Sequence, residues 1–179
     1  MKKYISFTSR ALIAAIAAAG LCLVANAKAA DETKTSSESK LSANDKKFVK
    51  KAYKGGMTEV EISKMAKEKA TSDATKEVAD RMITDHSKAN DRLMEIAKEE
   101  NLDLSKVEAK PAKMTGDNFD KEYLTMLKKD HEKTITMFET EANDTGTKED
   151  SDVKEFAKNT LPTLKEHLQM VEEALGKLK

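Results

Sequence analysis

The chain of 179 residues carries 32 Lys+Arg against 32 Asp+Glu, with three His, one Cys, two Pro, six Gly and no Trp. The balanced charge excludes a nucleic-acid binder that works through a basic excess, because nothing would displace counterions from phosphate. So few Gly and Pro exclude a turn-rich all-β fold, and abundant Lys, Glu, Ala, Leu and Met point to one all-α domain.

At the start of the chain, Lys2, Lys3 and Arg10 precede an apolar run from residue 11 to 25. Small residues follow, and Ala25-Asn26-Ala27 fits an A-x-A cleavage pattern. Residues 1–27 are therefore expected to be a secretory signal peptide. The run falls short of the roughly 20 apolar residues a membrane-spanning helix needs, although an uncleaved N-terminal anchor is the competing reading. Lipidation at Cys22 is disfavoured, since Leu21 stands where a small residue is expected. Cleavage after Ala27 removes the single Cys, and with it disulfide and thiolate chemistry.

Residues 28–42, rich in Ser, Thr, Lys and Glu, read as a short disordered linker. The remainder, 43–179, reads as one bundle domain. Four segments with helical periodicity are predicted at 43–70, 73–100, 117–142 and 149–178. Candidate caps are Ser42 with Asp45, Ser72 followed by Asp73, Asp117 with Asp120, and Thr147 with Asp150. The longest connection, from Asn101 to Gly116, either crosses the bundle or wanders at its surface.

Each segment carries an apolar stripe in steps of three and four, the pattern of a face buried in a four-helix bundle. All three histidines lie on these stripes. The second helix runs Met82, His86, Ala89, Leu93; the third, Leu124, Leu127, His131, Ile135; the fourth, Leu164, His167, Val171. The first helix has no His but places Glu59 in a stripe through Phe48, Ala52, Gly55, Ile62 and Ala66. The four polar residues lie near the midpoints of their helices, with His167 offset by only about 5 Å, so they are expected to share one layer.

Three imidazoles and a carboxylate are expensive to bury unless they satisfy one another or bind an ion. They also form a competent set of ligands for Zn²⁺, Fe²⁺ or Cu²⁺. Glu59, His86, His131 and His167 are thus candidate metal ligands. Asp85, Asp130 and Glu166 each precede a His directly and point about 100° away from it. Each is a candidate to orient a His on a neighbouring helix. A closed, metal-free and pH-sensitive Glu/His layer is the alternative.

The Glu-x-x-His pairs of di-iron bundles are missing, because Ile83, Lys128 and Leu164 stand three before the histidines. Met82, Met126 and Met170 lie close to the histidines, and read more simply as core than as copper ligands. Gly55-Gly56 weakens the first helix and leaves room for a close neighbour or a ligand. Pro162 is expected to kink the fourth helix. No phosphate loop, zinc ribbon, His-Glu-x-x-His or Gly-x-Ser-x-Gly elbow occurs, so a binding role outweighs an enzymatic one.

Four stretches carry a resemblance to a known family: GGMTEVEISKMAKEKA (55–70), VADRMITDHSKANDRL (78–93), FDKEYLTMLKKDHEKTITMFE (119–139) and FAKNTLPTLKEHLQM (156–170). In this order they resemble the exported bacterial family of domain of unknown function 4142. The resemblance implies a ferritin-like four-helix bundle in the periplasm or at the outer membrane. Its characteristic residues fall on Glu59, Met82, Asp85, His86, Asp130, His131, Pro162 and His167. It carries fold and location but no reaction.

The leading expectation is therefore an exported bundle that binds one transition metal ion and serves metal handling or envelope stress. A metal-free structural or interaction protein with a cell-envelope partner is the rival. A hydrolytic or redox enzyme using the metal is the third reading.

Overall fold

Ser42 opens the first helix with a reciprocal cap: its Oγ accepts from Asp45 N–H (3.1 Å), and its own N–H donates to Asp45 Oδ2 (3.2 Å). The computed structural model describes residues 39–114, 117–146 and 151–178. The expected signal peptide, Cys22, the linker up to residue 38 and the Thr147/Asp150 cap lie outside the described residues. The helices are α1 (Ala43–Lys69), α2 (Asp73–Glu99), α3 (Phe119–Ala142) and α4 (Asp152–Lys177). Together they form an all-α four-helix bundle.

Helices α1 and α2 form a hairpin, as do α3 and α4, and the two hairpins meet through α2 against α4 and α1 against α3. The start of α3 is tied to the turn between α1 and α2. Asp120 Oδ1 accepts from Ser72 N–H (3.0 Å), and its Oδ2 accepts from Thr71 N–H (3.1 Å). Asp120 thus caps α2 from a different helix, and Ser72 makes no side-chain cap of its own. The expected Asp117/Asp120 cap does not form; Asn118 is the N-cap residue, and α3 begins two residues later than predicted.

Because α3 begins where α2 began, the two run in the same direction. The connection between them must then travel the length of the bundle, about 40 Å for a helix of this length. Asn101, at φ 54°, turns the chain off α2, with Leu102 N–H on Ala97 O (2.7 Å) and Asn101 N–H on Lys98 O (3.3 Å). Lys110 N–H then donates to Thr58 Oγ1 (3.0 Å) near the middle of α1. The long loop is a crossover.

α4 starts at Asp152, three residues after the predicted start, and its N-cap Ser151 accepts at Oγ from Lys154 N–H (3.2 Å). It continues unbroken through Pro162. In α1 the stripe passes through Gly56, not Gly55: Gly56 is buried and Gly55 exposed. Any side chain at 56 would collide with Asn90 of α2, so this glycine permits a close helix contact.

Two apolar clusters fill the bundle. One, towards the α1–α2 turn, holds Ile62, Ala66, Met82, Tyr123, Leu127 and Val171. The other, at the opposite end, holds Phe48, Val49, Leu93, Ile96, Phe138 and Leu164. On every helix the junction between the two is a polar residue.

Candidate metal centre

That junction is the layer of Glu59, His86, His131 and His167, one from each helix. Periodicity explains their position, since each occupies the turn between the last residue of one apolar cluster and the first of the other. All four are buried, at 6%, 8%, 0% and 1% exposure. The imidazole rings stand 5.3–5.7 Å apart between centroids. One nitrogen from each His lies within 4.8 Å of the others.

His131 and His167 are oriented from outside the layer. His131 Nδ1 lies 3.0 Å from the carbonyl oxygen of Leu127. A carbonyl only accepts, so Nδ1 carries a proton and Nε2 faces inward. His167 Nε2 lies 2.9 Å from Asp85 Oδ2. Asp85 is held below the usual carboxylate range: burial opposes this, but His167 and Arg81 outweigh it. An ionised carboxylate only accepts, so His167 donates through Nε2 and turns Nδ1 inward. The two inward nitrogens, His131 Nε2 and His167 Nδ1, stand 3.2 Å apart.

A proton or a cation must sit between these two nitrogens for the contact to be favourable. Burial, and then repulsion from His86 and His131, work against a proton; Asp85 only partly compensates, and His167 falls to about 4.

Glu59 and His86 complete the layer. Glu59 Oε2 lies 2.7 Å from His86 Nε2 and 3.8 Å from His131 Nε2. Glu59 Oε2 and His86 Nε2 are both buried and face each other as an ion pair. Burial alone would raise the Glu59 carboxyl, yet the charges of His86 and His131 hold it at about 2. Burial also opposes protonation of His86, and Glu59 outweighs it, lifting this imidazole above its ordinary range.

The acids that precede each His behave differently from one another. Asp85 reaches the His of a neighbouring helix. Glu166 is exposed and pairs with Arg81 Nη2 (3.4 Å). Asp130 is half-buried, with burial and then Glu59 raising its carboxyl, and it bonds no imidazole among the described residues. Met82, Met126 and Met170 pack with the apolar cluster beneath the layer.

Arg81 was not among the candidates read from the sequence. It pairs with Asp85 one turn on and with Glu166 across on α4, clamping the acid that orients His167. Its signal was present in the i, i+4 spacing of Arg81 and Asp85. The carbonyl of Leu127 carried no such signal, because any helical His can meet the carbonyl four residues back.

Neither a search of curated proteins nor one of solved structures found a match. A family model, domain of unknown function (DUF4142), matches residues 30–174 and so spans every helix and all seven acid and histidine positions discussed above. The chain belongs to the DUF4142 family.

Proposed function

We propose that the protein is an exported helical bundle that binds one transition metal ion, Zn²⁺, Fe²⁺ or Cu²⁺, through Glu59, His86, His131 and His167. The observation that carries this reading is the pair of inward nitrogens on His131 and His167, 3.2 Å apart with their outer nitrogens already engaged. Metal–nitrogen bonds of about 2.0–2.1 Å in tetrahedral geometry put ligand nitrogens about 3.3 Å apart. The buried Glu59 Oε2 and His86 Nε2, paired with each other at 2.7 Å, supply the other two donors. Asp85 and the Leu127 carbonyl are the outer partners that fix ring orientation in metal-binding histidines. In this reading Asp130 and Glu166 contribute charge near the layer rather than contacts to it.

A bound ion of this kind would supply a Lewis-acidic or redox-active centre. The role that follows is metal handling or protection of the cell envelope, as a binding protein rather than an enzyme. The single crossover connection supports the ferritin-like class implied by the family resemblance. No helix among the described residues is long and apolar enough to cross a membrane. With the expected signal peptide, this supports a periplasmic or outer-membrane-associated protein.

A metal-free layer is favoured by one observation, the Glu59–His86 ion pair, which can exist without an ion. Titration with Co²⁺ separates the two readings. Metal coordination through histidine at this layer predicts intense visible bands that saturate near one equivalent and vanish in His131→Ala. The weak spectrum of hydrated Co²⁺ throughout the titration would support the metal-free layer.

A further inference from the structure

Beside the layer lies a cavity of about 50 Å³, partly enclosed. Its lining includes Glu59, His86 and His167 of the layer together with apolar Leu93, Phe138 and Leu164. The space is more than one water needs. It therefore has room for a small ligand.

The solvent side of this cavity includes Gly55. Gly55 is exposed within α1, and nothing lies within 4 Å of where a side chain would begin. Packing therefore does not require glycine at 55, in contrast to Gly56. A small residue, glycine or alanine, at this position leaves the space beside the cavity lining open, whereas a long side chain would fill it.

We propose that the cavity gives the metal an additional, exchangeable coordination position for a small exogenous ligand, and that Gly55 keeps its entrance open. This rests on the metal reading above. Four protein donors would hold the ion, and the cavity lies against three of them. Such ions expand to five-coordination where space permits. The mixed polar and apolar lining suits a small anion or a neutral diatomic molecule.

The test uses azide as the probe on Co²⁺-loaded protein, read by stopped-flow absorption. Wild type and Gly55→Ala are expected to show a saturable change in the visible bands. Gly55→Leu, which covers the entrance, should keep its Co²⁺ content and slow azide association at least tenfold. Thr163→Leu, entering the same cavity from α4, should do likewise and guards against a variant that fails to fold. Bound Co²⁺ with no azide response in wild type, or wild-type association rates in both leucine variants, would overturn the inference while leaving the metal reading intact. Failure of Co²⁺ to bind at all would overturn both.

Discussion

Asp85 of α2 meets His167 of α4 at 2.9 Å, although the histidine next to it in sequence is His86. Helical geometry makes this pairing natural, because successive side chains diverge by about 100° and an acid beside one His is free to serve another. Asp85 thereby links two helices that also pack together. It fixes which nitrogen of His167 faces the layer.

Replacing Asp85 with Asn keeps a hydrogen-bond acceptor but removes the charge. Outer partners of metal-bound histidines are typically worth 10–100-fold in affinity. Asp85→Asn is expected to weaken metal binding by about tenfold or more with the helices intact, as measured by competition against a chelator of known affinity. Unchanged affinity would mean that His167 is not a ligand, or is not oriented by this contact.

The two adjacent glycines of α1 should respond oppositely to alanine. Gly55→Ala adds helix propensity with no collision and is expected to stabilise the fold by about 0.5–1 kcal/mol. Gly56→Ala forces Asn90 aside and is expected to destabilise by about 1–2 kcal/mol. Urea unfolding of both, and of Gly56→Ala with Asn90→Ala, measures the difference. The second substitution should recover most of the loss.

A second buried charge cluster, away from the histidines, sets a pH dependence. Glu141 is raised to about 7, first by burial and then by the carboxylate of Asp45. An acid whose folded value lies above its unfolded one binds its proton more tightly in the folded state. Its contribution is therefore complete below about pH 4.5 and is lost as pH rises through about 7. Wild type is expected to lose on the order of 1 kcal/mol across that window from this group. Glu141→Gln, neutral at every pH, should flatten that part of a stability profile followed by denaturant unfolding.

Much of this arrangement was legible in the sequence because hydropathy period and helix midpoint are both local properties. Steps of three and four brought Glu59, His86, His131 and His167 to one face each, and similar helix lengths brought them to one level. What was not legible depended on contacts between helices. The direction of α3 is written in Asp120, which looked like a cap for its own helix and instead binds the turn before α2. The buried glycine was misplaced by one residue, since Gly55 and Gly56 have the same hydropathy and only the proximity of Asn90 distinguishes them. Asp85, Asp130 and Glu166 looked equivalent in sequence; their different fates follow from which neighbouring helix each one faces.

The most direct test of the central claim is elemental analysis by mass spectrometry of mature protein purified without chelator, beside a His131→Ala/His167→Ala variant. Binding at the layer predicts about one equivalent of a single transition metal in the wild type and its loss in the variant, with helical content retained. Wild-type protein that stays empty both as purified and after reconstitution with Zn²⁺, Fe²⁺ and Cu²⁺ would contradict the account. The layer would then be a metal-free Glu/His arrangement that joins the two halves of the core.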